Sequence, residues 1–154
     1  MKHIQAQVFK LGIEAGLVDK EEIIDWADEI LLSNEPYCNA IADLATCGNR
    51  PYSEIFTLLG ELCEAHLESR IFWHEFKPFL QKKINEEITT PRAVVSLLYF
   101  HYRDGMLPRE AEDQIMEFEL NYDCAYEGYG SLKDMDIEVT TYFNQPADQD
   151  GVRQ

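Results

Sequence analysis

Apolar residues recur at spacings of three and four along most of the chain, which is the period of an amphipathic α-helix. Near the start, Ile4, Val8 and Leu11 follow this spacing. Gly16 then suits a helix end, because glycine accepts the left-handed backbone that often terminates a helix. The pattern predicts a first helix over about residues 2–15.

A second helix is predicted by its start signal. Asp19 is a good N-cap, and Glu22 follows three residues later, which is the arrangement of a capping box. The predicted helix covers about residues 20–32, with apolar residues on one side. Its other side places three acids beside Trp26, namely Asp25, Asp28 and Glu29.

Turn residues between the later apolar runs predict five more helices. Thr90 followed by Pro91 is a strong helix start, a cap with proline in the first turn. Pro78 is expected to kink the fifth helix or to divide it in two. The expected ranges are about 37–46, 52–68, 71–88, 91–104 and 108–126.

The stretch after Gly130 is ambiguous. Residues 136–143 alternate in polarity and include β-branched side chains, so a strand is conceivable, yet a lone strand would have no pairing partner. We expect a short final helix or an extended segment over 131–145, and a flexible tail over 146–154. The chain is therefore predicted to be all-α, with about seven helices in antiparallel hairpins around the aromatic fifth helix, in a single compact domain over 1–145.

The net charge of the chain is more informative about function than its hydrophobic fraction. The chain has 154 residues, of which 45% are hydrophobic, as expected for one folded domain. Asp and Glu number 29 against 13 Lys and Arg, giving a net charge of −16. Such a charge repels nucleic acid and anionic membranes and speeds encounters with basic macromolecules. The simpler explanation of the same net charge is that it keeps the protein soluble.

The predicted location is the cytoplasm. The N-terminus runs into an amphipathic helix rather than an apolar signal sequence, and no segment approaches the roughly 20 apolar residues of a membrane span. The cysteines are irregularly spaced, which indicates free thiols in a reducing compartment. They are Cys38, Cys47, Cys63 and Cys124.

The sequence contains none of the common catalytic signatures, such as a phosphate-binding glycine loop or a zinc-protease helix motif. Cys63 and His66 have a spacing compatible with a metal, but a structural zinc site needs four ligands. We therefore predict a protein that is not an enzyme and needs no cofactor and no metal. A small metal or carboxylate enzyme is the minority hypothesis.

The most informative feature is an acidic run. Between Glu110 and Leu132 there are seven acids and no Lys or Arg. Like charges four residues apart destabilise a helix by roughly 0.2–0.5 kcal/mol per pair, so a helix selected only for stability would include lysines. An ordinary solvated face is the alternative. Tyrosines among carboxylates are typical of binding surfaces. The candidate partner-binding residues are Glu110, Asp113, Glu117, Glu119, Tyr122, Asp123, Tyr126, Glu127, Asp25, Asp28 and Glu29.

A local resemblance suggests what the partner is. Gly16-Leu17-Val18, followed by the stretch from Ile23 to Ile30 that includes Trp26-Ala27-Asp28, resembles the N-terminal part of small helical bacterial immunity proteins. These belong to contact-dependent inhibition and other polymorphic toxin systems. The resemblance spans roughly residues 12–45, about a fifth of the chain. It implies a protein that binds a toxin's C-terminal domain and blocks it, and it transfers no catalytic residues.

Two functional hypotheses follow. The first is an immunity or inhibitor protein that neutralises a basic toxin domain, expected to be a nuclease, through the acidic tyrosine-containing surface. It predicts that Glu119→Lys with Asp123→Lys weakens binding without unfolding the protein. The second is a helical adaptor or regulatory module without enzymatic activity, either a monomer or a homodimer.

Overall fold

The computed structural model describes residues 2–63, 67–101 and 105–147. Over these ranges the regular structure is entirely helical, with eight α-helices and one short 3-10 helix, so the predicted all-α class is confirmed. The helices form two compact units, Met1–His66 and Leu67–Gln154. Most of the predicted tail, residues 148–154, lies outside the described ranges, so its flexibility stays a prediction.

The first unit is built from helix pairs. In chain order its elements are α1 (Lys2–Glu14), α2 (Lys20–Leu32), α3 (Asn39–Ala45), a 3-10 helix (Cys47–Asn49) and α4 (Tyr52–Leu62). Helix α1 packs against α4, while α3 contacts both α2 and α4. The apolar sides predicted for the first two helices supply much of the buried core, including Val8, Leu11, Ile23 and Ala27.

The predicted start of α2 is confirmed in detail. The Asp19 carboxylate accepts a hydrogen bond from the Glu22 N–H at 2.9 Å, and the Glu22 carboxylate accepts one from the Asp19 N–H at 3.1 Å. Gly16 has a φ of +69°, the left-handed conformation that ends α1. The later bounds are less accurate. Helix α3 starts two residues late, and α4 ends at Leu62 rather than near residue 68.

The second unit contains α5 (Ser69–Asn85), α6 (Pro91–His101), α7 (Arg109–Tyr126) and α8 (Leu132–Asn144). The start of α6 is as predicted, because the Thr90 hydroxyl accepts a hydrogen bond from the Ala93 N–H at 3.1 Å. Helix α5 is continuous through Pro78, so the predicted division is wrong. Pro78 lies on the exposed side of α5, where solvent can satisfy the carbonyl that loses its helix partner.

Helix α8 is the element that the sequence left ambiguous, and it joins the second unit together. It packs against α5, α6 and α7, while the aromatic α5 packs mainly against α8. Its buried residues are Met135, Val139, Tyr142 and Phe143, which have helical spacing. The Ser131 hydroxyl caps its first turn by accepting from the Asp134 N–H at 3.3 Å. The strand alternative is therefore wrong, since this apolar spacing outweighs the β-branched composition.

Candidate protein-binding surface

Helix α7 contains most of the predicted binding residues and presents them on different sides. At about 100° of rotation per residue, one contiguous side of the helix is exposed along its whole length. We call this side the solvent face of α7. It consists of Arg109, Asp113, Met116, Glu117, Leu120 and Cys124, and it continues into the C-cap residue Glu127.

The carboxylates on the solvent face form no ion pair with a described residue, although Arg109 lies on the same face one turn before Asp113. Within the described ranges, no Lys, Arg or His lies within ion-pair distance of Asp113, Glu117 or Glu127. The like-charged pair of Asp113 and Glu117, four residues apart, thus receives no tertiary compensation there. The charge remains available to an outside cation.

Large apolar side chains lie among these acids. Met116 is 49% exposed and Leu120 is 59% exposed, and with Cys124 they form an apolar line at spacings of four. Tyr126 and Tyr129 are also largely exposed. A surface of partly exposed apolar anchors surrounded by charge has the composition of protein-binding surfaces.

Two predicted binding residues on the adjacent side have another role. Glu119 is only 5% exposed, and its carboxylate accepts two hydrogen bonds from the Arg92 guanidinium of α6, at 2.6 and 3.1 Å. Arg92 also reaches the Asp123 carboxylate at 3.4 Å. The placement of Glu119 on the accessible surface is therefore wrong. Lysine at 119 and 123 would set two cations against Arg92, so that double variant is now expected to destabilise the protein.

Tyr122 is the second correction. It is 1% exposed, and its hydroxyl donates a hydrogen bond to the Asp136 carboxylate of α8 at 2.6 Å. Burial, and then the bond to Asp136, raise the pKa of the Tyr122 phenol far above its usual value. The Arg92 guanidinium lies over the rings of Tyr122 and Tyr126, at 4.8 and 5.7 Å from their centroids. Tyr122 therefore joins three helices and does not face a partner.

Glu110, at the start of α7, has a local partner. Its carboxylate accepts a hydrogen bond from the Arg70 guanidinium of α5 at 2.9 Å. A backbone hydrogen bond within the first turn lowers the pKa of the Glu110 carboxyl, and Arg70 lowers it further. The Arg70 side chain is 62% exposed and that of Glu110 is 40% exposed, so a basic partner can compete with Arg70 for this carboxylate.

The second predicted stripe lies in the first unit. Asp25, Asp28 and Glu29 are all exposed on α2, and no described cation pairs with them. Between them, Trp26 is half-buried and packs edge-on against Phe9, with ring centroids 5.4 Å apart. This stripe is acidic, and Trp26 packs towards the core, but Leu32 lies on the same side of α2 one turn after Asp28 and is 83% exposed. The stripe therefore has one exposed large apolar side chain, where the solvent face of α7 has two, Met116 and Leu120.

Sequence reasoning missed the residues that divide the acids into two groups. Arg92 lies 27 residues before Glu119, and nothing in the local pattern connects them. Met116 and Leu120 could have been found, since two apolar residues four apart on a side otherwise occupied by acids do not fit the core period. The tyrosines drew attention because of their residue type, although only position decides exposure.

The described ranges contain no group of three or more His, Cys, Asp or Glu side chains arranged to hold a metal ion. None of the helices there is long and apolar enough to cross a bilayer. Comparisons with protein-family models, with curated proteins and with solved structures found no match. The functional argument therefore depends on the surface of α7 itself.

Proposed function

We propose that this chain is an immunity or inhibitor protein that binds a basic toxin domain, most simply a nuclease domain, and blocks it. The observation that supports this is the solvent face of α7, where unpaired carboxylates surround the exposed Met116 and Leu120. A nuclease presents cations where phosphates bind, and these carboxylates can take the place of phosphates. The proposal includes neither catalysis nor a cofactor.

The two components of the face have different tasks. The apolar side chains supply affinity, because they leave water when the complex forms. The carboxylates, within an overall charge of −16, speed and orient the encounter, and this contribution is screened by salt. We expect association to slow markedly at high salt while dissociation changes little.

A homodimer through this face is the less favourable alternative. Like charges such as Glu117 and Glu127 would approach each other across the two-fold axis, in a chain that is already strongly acidic. A basic partner is instead attracted electrostatically to the same face. We also propose a cytoplasmic location, supported by four cysteines that are all free.

The test is capture from the native host at low salt with the tagged chain, compared with Leu120→Arg. Ile88→Arg is a matched control, because Ile88 is 51% exposed and lies outside α7. We expect a basic toxin domain to be retained by the wild type and the control but lost with Leu120→Arg. The recombinant domain should then be inhibited at a one-to-one ratio. Equal retention by all three proteins, or no basic partner, would reject the proposal.

A further inference from the structure

A groove of 310 Å³ runs along the second unit between α7 and α8. It adjoins the solvent face of α7, since Glu117 belongs to both. One ridge comes from Gln114, Glu117 and Phe118, at helical spacing on α7. The facing ridge comes from Glu138 and Tyr142 of α8 and from Gln145, which caps its C-terminal end. Its position makes it a separate binding feature beside the apolar line of Met116 and Leu120.

The groove has an apolar floor and polar walls. Phe118 and Tyr142 are almost completely buried and pack edge-on with ring centroids 5.4 Å apart, so they form the base. Glu117 and Glu138 are exposed and stand on opposite helices. Neither carboxylate forms an ion pair or a side-chain hydrogen bond with a described residue.

We propose that this groove binds a lysine or arginine side chain of a basic partner protein. The aliphatic stem of such a side chain would lie along Phe118 and Tyr142, and its cationic head would meet Glu117 and Glu138. The side-chain carbonyls of Gln114 and Gln145 can accept the remaining donors, which suits the several N–H groups of a guanidinium. An anionic or purely apolar side chain would leave the two carboxylates desolvated without a partner.

One nearby charge opposes this binding. The Lys77 ammonium of α5 lies 4.1 Å from the centroid of the Tyr142 ring. Lys77 is buried and is not among the residues that line the groove, whereas the two glutamates are exposed and line it. A ligand side chain can therefore contact the two carboxylates directly but not the ammonium, and the groove favours a cation.

The inference rests on the proposed function for its biological partner, but the groove can be tested without that partner. Fluorescein-labelled nona-arginine and nona-lysine peptides are titrated into the full chain at about 0.15 M salt and followed by anisotropy. The groove variant is Glu117→Gln with Glu138→Gln. The matched control is Glu14→Gln with Glu61→Gln, which removes the same charge from exposed positions in the first unit.

We expect the groove variant to weaken binding of at least one peptide about tenfold, and the control to weaken it by less than about threefold. Side-chain amide signals of Gln114 and Gln145 in nuclear magnetic resonance spectra should shift on peptide addition to the wild type but not to the groove variant. A loss confined to nona-arginine identifies a guanidinium site, and equal losses identify a general cation site; both support the proposal.

Equal effects of the two double variants, or unmoved Gln114 and Gln145 signals, would overturn the groove as a site and leave only a diffuse acidic field. Thermal unfolding of both variants checks that neither has lost its fold. The outcome is separable from that of the capture experiment. If the groove binds cationic peptides but the capture experiment finds no toxin partner, only the proposed function is rejected. If a toxin partner is captured but the groove variant binds the peptides as the control does, only the groove is rejected.

Discussion

Two sides of α7 have nearly the same sequence chemistry and opposite uses. On one side, Glu119 and Asp123 meet Arg92 from α6, and the acids become part of the internal structure. On the solvent face, Glu117 and Glu127 meet no described cation and surround exposed apolar side chains. A run of acids therefore does not define a surface, because one tertiary cation, Arg92, makes two of its seven acids part of the internal structure.

Removing Arg92 should have the largest effect on this contrast. In Arg92→Ala the Glu119 carboxylate stays buried without its two charged donors, and we expect the free energy of unfolding to fall by about 3 kcal/mol. Urea unfolding measures the change. The double variant Arg92→Met with Glu119→Leu should recover much of the loss, since the buried carboxylate at position 119 is then also removed. An unchanged midpoint in Arg92→Ala would contradict the structural role of the pair.

Tyr122→Phe should have an intermediate effect, about 1 kcal/mol, through loss of the hydrogen bond to Asp136. Denaturant unfolding near neutral pH measures it, and Tyr126→Phe is the control because Tyr126 is largely exposed. We expect the control to stay within about 0.5 kcal/mol of the wild type. If Tyr126→Phe lost as much unfolding free energy as Tyr122→Phe, the hydrogen bond from Tyr122 to Asp136 would not be the cause of the effect.

The same tyrosine should give the stability a pH dependence. The folded state raises the pKa of Tyr122 above its unfolded value of 10.0, because burial and Asp136 disfavour the phenolate. The stabilising contribution is thus complete below about pH 10 and is lost as the pH rises above that value. The difference in unfolding free energy between wild type and Tyr122→Phe should shrink from pH 8 to pH 11. A difference that stays constant over this range would disprove the linkage.

The smallest stability effect is expected on the solvent face. Glu117→Lys removes repulsion with Asp113 and creates an opposite-charge pair four residues apart, so the unfolding free energy should rise by about 0.5 kcal/mol. Under the proposed function the same variant should bind the basic partner more weakly. Thermal unfolding and partner titration, made on one protein preparation, test both. A gain in stability with undiminished binding would show that the solvent face is only a solvated surface.

Local signals predicted the helices well where a cap or a stop is present. Helix α2 has the predicted bounds because Asp19, Glu22 and the residues around Asn34 act within a few positions of the chain. Where such signals are weak, the bounds shifted, as at the end of α4, or the type was ambiguous, as in α8. The sequence alone did not assign α8, because its β-branched residues favour a strand locally. The helix is stabilised by packing against the neighbouring helices, which bury Met135 and Val139 at helical spacing.

The sequence by itself determined the helical class, the charge and the concentration of acids on one helix, because these depend on composition and on spacing along the chain. The tertiary structure decided which of those acids remain free. Arg92 reaches Glu119 only because α6 packs against α7, and Tyr122 reaches Asp136 only because α8 packs against α7. Pairing of charges across helices depends on distance in space, which no local period along the chain encodes.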